Sequence, residues 1–139
     1  MQKCDPLIAN RSNVAVVEDY FRALDNGDME LLGSILADDI IWHQPGSGPL
    51  SGTYRGKEEV FALLSKFMQL SDGTFEIDLV RAITPNGDMV SSSIHFQAKR
   101  SGEVMAMDGV DLMRVQSGKI GEVWLFSSEQ EAEDRFWGR

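Results

Sequence analysis

Asp111 sits in the run Val110-Asp111-Leu112-Met113-Arg114, a carboxylic acid among apolar neighbours. Burying such a group is costly unless it is paired or keeps its proton. It therefore offers two chemistries: half of an ion pair, with Arg81 or Arg114 as partner, or a protonated acid that donates a hydrogen bond to a ligand. Tyr20 falls on an apolar stripe with Val17 and Leu24. Its hydroxyl either meets a buried partner in the protein or reaches a ligand. His43 and His95 are the two histidines of the chain, and imidazole accepts a proton near neutral pH. Each also has the plainer reading of a structural or surface strand residue. Tyr20, Asp111, His43 and His95 are accordingly the candidate catalytic residues. Trp42, Gln44, Phe61, Met113 and Trp124 are the candidates for binding a substrate. Phe126, Met105 and Met107 add soft apolar surface, most of it expected in the core.

Other chemistries find little support. Two histidines, one cysteine and no close Glu/His spacing do not form a zinc or facial-triad pattern, so no metal and no cofactor is expected. Gly46-Ser47-Gly48 lacks the following Lys-Ser/Thr of a phosphate-binding loop and reads as a flexible loop at a pocket rim. Cys4, alone, cannot form an internal disulfide, which fits a reducing, cytoplasmic setting.

The elements that must position these residues follow from periodicity. Apolar residues recur at helical spacing over Ser12–Asn26, with Ser12 as N-cap and Gly27 as C-cap. Asp28 caps a second helix, whose apolar face holds Leu31, Leu32, Ile35 and Leu36 and which Asp38-Asp39 ends. Ile40–Gln44 reads as a short strand and Pro45–Pro49 as a loop. Gly56 starts a third helix carrying Val60, Phe61, Leu64, Phe67 and Met68, with Glu58 and Glu59 in its first turn. From Gly73 the period changes to alternation. Phe75–Thr84, Met89–Lys99, Glu103–Gln116 and Lys119–Phe126 read as four strands, joined by turns at Asn86-Gly87, Ser101-Gly102 and Ser117-Gly118. Ser128-Glu129-Gln130-Glu131 has the pattern of a capping box opening a short terminal helix. Alternation puts His43 opposite Trp42 and Gln44, and His95 opposite Ile94 and Phe96. It puts Asp111 on one face with Gly109 and Met113. Helices followed by an antiparallel run indicate an α+β fold, and three helices against one curved sheet would leave a hollow between them.

Length and charge bound the function class. The chain has 139 residues, 42% of them hydrophobic, which suits one domain with a sizeable core. We expect an N-terminal tail over residues 1–11 and one domain over 12–139. The net charge of −9 disfavours nucleic acid and anionic membranes as partners, and no apolar run approaches the length of a membrane span.

Three segments carry a resemblance. They are Val16-Val17-Glu18-Asp19-Tyr20-Phe21-Arg22-Ala23-Leu24-Asp25-Asn26-Gly27-Asp28 with Leu36–His43, then Pro49–Val60, then Gly118-Lys119-Ile120-Gly121-Glu122-Val123-Trp124 with Asp134-Arg135-Phe136-Trp137. In these the sequence resembles the SnoaL-like branch of the nuclear transport factor 2-like superfamily. The resemblance implies a cystatin-like cone: a curved, mainly antiparallel sheet packed against three helices, with a short C-terminal helix and an internal pocket. Ketosteroid isomerase, a member of that superfamily, uses a carboxylate base together with a Tyr and a protonated Asp that hold an enolate oxygen. By resemblance Tyr20 and Asp111 match the oxygen-holding pair. The place of the base, just before a proline, is occupied by Gln44, which cannot accept a proton near neutral pH.

Three functions stay open on this reading. The first is an enzyme that isomerises, cyclises or hydrates a small, mainly apolar carbonyl compound. The second is a non-catalytic binder of a similar molecule. The third is an interaction module. A homodimer formed through sheet faces is expected as well, because Val90, Ile94 and Phe96 alternate with Ser91, Ser93 and His95 and members of the resembled families commonly pair.

Overall fold

The computed structural model of the protein describes residues 6–138, with side chains from residue 13 onward; Cys4 lies outside the described residues. Four helices and six strands follow one another as α1 (Pro6–Asn26), α2 (Met29–Ile35), β1 (Leu36–Gln44), β2 (Gly52–Arg55), α3 (Gly56–Leu70), β3 (Glu76–Asn86), β4 (Met89–Arg100), β5 (Glu103–Gln116), β6 (Lys119–Ser127) and α4 (Gln130–Trp137) among the described residues. The strands form one sheet in the order β2-β1-β6-β5-β4-β3. Only the β1–β6 pair is parallel; the other neighbours are antiparallel. This is the expected α+β cone. Among the described residues no helix is long and apolar enough to cross a membrane.

Local chemistry explains most boundaries. The left-handed Gly27 (φ +65°) ends α1, its N–H returning to the Leu24 carbonyl at 3.3 Å and that of Asp28 to Ala23 at 2.8 Å. Asp28 then accepts from the Leu31 N–H at 3.0 Å and caps α2. Ser101-Gly102 and Ser117-Gly118 adopt positive φ at both positions, the requirement of a two-residue turn matched to strand twist.

Several boundaries differ from the sequence reading. Helix α1 begins at Pro6, so position 12 lies within it and not at its cap. Strand β1 begins at Leu36, four residues early; Leu36 is buried either way, and burial alone does not separate a helical from an extended residue. The first hairpin turn is Gly87-Asp88, because Asn86 still pairs with Met89. The capping box at Ser128 does not form. Glu129 occupies the N-cap of α4 without a side-chain bond, and the Ser128 N–H goes to the Asp108 carbonyl at 2.9 Å. Strand β2 had no sequence signal, since Gly-Thr-Tyr-Arg shows no apolar alternation; it exists by pairing with the edge of β1.

One face of the sheet is covered by the helices. It carries Val90, Ile94 and Phe96 of β4, Met107, Asp111 and Met113 of β5, and Val123 of β6, all buried. The other face is open. It carries Ser91, Ser93 and His95 of β4, paired with Leu112, Val110 and Asp108 of β5, and Trp124 and Phe126 of β6, paired with Leu112 and Val110.

Candidate active site

Strand alternation fixes the first polar group of the interior. Asp111 pairs with Ser92 on β4 and with Leu125 on β6 and projects to the covered side. Two residues earlier the strand must be glycine. A Cβ on Gly109 would stand 2.7 Å from the Phe126 carbonyl oxygen and 3.1 Å from the ring of Phe96, so a side chain there would push strand and aromatic apart. Tyr20 comes from the buried stripe of α1 with Val17 and Ala23, its ring edge-on to Phe21 at 5.1 Å.

Between helices and sheet lies a cavity of about 1040 Å³, lined by Tyr20, Trp42, Gln44, Phe61, Asp111 and Glu133 among others. That is at the upper end of small-molecule sites, roughly 300–1,000 Å³. Its mouth is rimmed by Met29, Met68 and Leu79, which are exposed. The interior is therefore reachable from solvent and too large to be a packing defect.

Several polar groups line this space. Asp111 is 5% exposed, and among the described residues no hydrogen bond or ion pair reaches its carboxyl. Arg81 pairs with Asp108 at 2.7 Å and Arg114 with Glu122 at 2.8 Å, so neither supplies the ion pair weighed above. Burial, reinforced by the negative charge of Glu133, pushes the Asp111 carboxyl from the ordinary 3.8 up to about 7. The Tyr20 hydroxyl is pushed well above its ordinary value, first by burial and then by the charge of Asp111, and so keeps its proton. Ser92, across the strand pair from Asp111, has a fully buried hydroxyl with no partner among the described residues. Trp42 donates its indole N–H to the Gln44 side-chain carbonyl at 3.0 Å, which leaves the Gln44 amide free to donate.

The structure divides the sequence candidates. Tyr20, Asp111, Trp42, Gln44 and Phe61 line the cavity. His43 does not: it is on the open face, bonded to Glu122 at 2.6 Å and stacked on Trp124 at 5.5 Å. His95 is bonded to Asp78 at 2.8 Å and also points away from the covered side. Trp124 shares the open face with His43. Met113 is on the covered face but packs wholly into the core. Alternation is the reason for His43, His95 and Trp124, since one strand face alone can reach the hollow.

Glu133 was missed by the sequence reading. It is 5% exposed and borders the cavity from α4. The Ser127 hydroxyl donates to it at 2.6 Å, the Gln130 amide at 3.2 Å and the Trp137 indole at 3.2 Å. Burial raises its carboxyl, against the lowering effect of those donors. A signal existed: Glu133 precedes Phe136 and Trp137 by three and four residues, the spacing of one helical face. The Pro45–Pro49 loop, expected as a flexible rim, instead ties α4 down. Asp134 accepts from the Ser47 N–H at 2.9 Å, and Gly46, at φ +90°, lies so close that a Cβ would stand 2.1 Å from the Asp134 carboxylate. Among the described residues no group of His, Cys, Asp and Glu is arranged to hold a metal ion.

Residues 17–123 match the family described as SnoaL-like domain. A protein of unknown function with a cystatin-like fold from Xanthomonas campestris is 42% identical, with 91% of this chain and 98% of that chain covered and a TM-score of 0.88. An uncharacterized protein of Mycobacterium tuberculosis H37Rv is 27% identical over 126 residues, 91% of this chain and 96% of the relative. A candidate SnoaL-like polyketide cyclase from Jannaschia sp. CCS1 covers 100% of this chain and 99% of its own, at 15% identity and a TM-score of 0.77, a likeness of fold alone.

Proposed function

The chain belongs to the SnoaL-like domain family, and from that premise we propose that it is an enzyme that moves a proton on a small, mainly apolar carbonyl compound without a cofactor. The observation that carries this reading is the Asp111 carboxyl: buried, without a protein partner among the described residues, and facing an open cavity. A structural carboxylate would have found a cation or several donors, because leaving it unpaired costs stability. A site that keeps such a group exposed to ligand is spending stability on chemistry. The substrate carbonyl oxygen accepts from the Tyr20 hydroxyl and the protonated Asp111, and the apolar walls strengthen both bonds. The charge that develops on that oxygen as a neighbouring C–H is broken is held by two donors already in place.

β-Naphthol, an apolar phenol that imitates an enol, is a probe for this site. The protein should quench or shift its fluorescence saturably. Asp111→Asn keeps a donor and should retain most of the affinity. Asp111→Ala should weaken binding about 5- to 150-fold, the equivalent of roughly 1–3 kcal/mol for a lost buried partner. Binding that is equal in wild type and Asp111→Ala, or no binding at all, counts against the proposal.

A homodimer through the open sheet face belongs to the same reading. Phe126 is 54% exposed there and Val104 64%, and Leu112 and Trp124 pair with each other on the same face. Two arginines near this face are matched within the chain, Arg81 with Asp108 and Arg114 with Glu122, which lessens the repulsion that a net charge of −9 puts between two copies. Leu112→Glu places a charge at its centre and should convert the species seen by light scattering at micromolar concentration to monomer. A wild type that already scatters as a monomer would remove this part of the proposal.

A further inference from the structure

The reading above leaves the proton without an acceptor, because the strand position before Pro45 holds Gln44 and both histidines lie on the wrong face of the sheet. We propose that Glu133, reaching in from the C-terminal helix, is the general base of this site and works as a carboxylate opposite a protonated Asp111. This rests on the proton-transfer reading and adds the residue that it lacks.

Position comes first. Gln44 and Glu133 border the same cavity and also share a small void behind it with Trp137. Glu133 thus stands beside the residue that fills the expected place of the base. Its carboxyl is held by α4, and α4 is itself fastened to the rest of the fold at two places. Asp134 binds the loop at Ser47, and the Arg100 guanidinium donates to the carbonyls of Phe136 and Trp137, each at 2.9 Å. A base must be held in register with the carbon it deprotonates, and this one is.

The two carboxyls then sort themselves by their surroundings. Glu133 receives three donors from Ser127, Gln130 and Trp137. Asp111 receives none among the described residues. Hydrogen bonds donated to a carboxyl favour its ionised form. Where two carboxyls are close enough for one to raise the other, the proton goes to the group with fewer donors. Asp134, next along the helix, is the other charge felt by Glu133 and repels a second negative charge, but it is fixed by Ser47 and Gln130 at the surface. A carboxylate has about four acceptor directions. Three are taken, and one remains for a substrate proton.

The step balances without any further reactant. A Glu133 oxygen takes the proton from the carbon next to the carbonyl. The C–H electron pair becomes the new C=C bond, and the carbonyl π pair moves to oxygen, where the Tyr20 and Asp111 O–H groups hold it. Glu133, now a carboxylic acid, returns its proton to the far end of the conjugated system as the carbonyl re-forms.

Two measurements test this. Carbon-detected NMR of the wild-type side-chain carboxyls at about pH 6 should find Glu133 ionised and Asp111 protonated, and Glu133→Gln should lower the Asp111 midpoint by removing a negative neighbour. The reverse protonation pattern overturns the assignment, as does an Asp111 midpoint unmoved in Glu133→Gln. Conversion of a steroidal β,γ-unsaturated ketone to its conjugated isomer is the second. Glu133→Gln should slow it roughly 10²- to 10⁴-fold while β-naphthol affinity stays within about threefold. An undiminished rate in Glu133→Gln, or a loss of naphthol affinity equal to the loss of rate, defeats the base and leaves the pocket reading standing. A wild type that neither binds naphthol nor converts the ketone defeats the pocket reading itself.

Discussion

Raising the pH from about 5 to 7 should weaken the folded protein by about 2 kcal/mol through Asp111, and Asp111→Asn should remove most of that loss. The sign follows from proton counting. Burial holds the Asp111 carboxyl at about 7 in the fold, against the ordinary 3.8, so between those values the native state keeps a proton that the unfolded chain has released. Stability is full below the lower value and declines as pH climbs toward the upper one, at about 1.4 kcal/mol per pH unit. The raised carboxyl of Glu133 acts in the same direction. Asp38, Glu122 and Asp134 are shifted down by their partners. What they contribute is lost only as pH falls below the ordinary carboxylate range, outside this window. Urea denaturation at several pH values checks both parts. A wild-type stability that is level or rising between pH 5 and 7, or a slope undiminished in Asp111→Asn, would falsify the buried-acid account. The variant should also be the more stable protein near pH 8, as expected of a group whose place is set by chemistry at the expense of the fold.

Trp137→Ala should cost about 3–5 kcal/mol, the usual range for deleting a buried large aromatic. Trp137 is buried at the C-terminal end of α4. Its ring lies 4.9 Å from Phe67 and from Phe136 and 6.0 Å from Phe75, so it joins α3, α4 and the segment entering β3. Its removal leaves a cavity that these rings cannot fill without moving apart, and it takes one donor from Glu133. Phe136→Leu, which keeps most of the volume, should cost far less. Thermal or urea unfolding distinguishes the outcomes: a Trp137→Ala penalty below about 1 kcal/mol means that α4 is not part of the cooperative core.

Much of this protein could be read from its residues in order. The change of period at Gly73, the two Ser-Gly turns and the caps at Gly27 and Asp28 are local signals, and each acts within a few residues of itself. Strict alternation likewise put His43 opposite Trp42 and Gln44, His95 opposite Ile94 and Phe96, and Asp111 on one face with Gly109 and Met113; which of those faces is the interior one was left to the fold. A polar residue in an apolar run is conspicuous, and Asp111 stood out for that reason.

Tertiary structure decided what depends on partners far along the chain. Leu36 continues a helical stripe yet starts β1, because β6 is there to pair with it. Gly52–Arg55 becomes a strand only against β1. Whether Asp111 would find Arg81 could not be settled by alternation, since Arg81 lies on another strand; on the folded sheet Arg81 and Arg114 are each already bound to another carboxylate on the open face. Glu133 was hidden for the same kind of reason. In sequence it is one of several acidic residues in a polar helix, and only its spacing from both Phe136 and Trp137 sets it apart from Glu131 and Asp134. Only the docking of α4 across the end of the sheet turns that one carboxylate inward, beside Gln44 and toward Asp111.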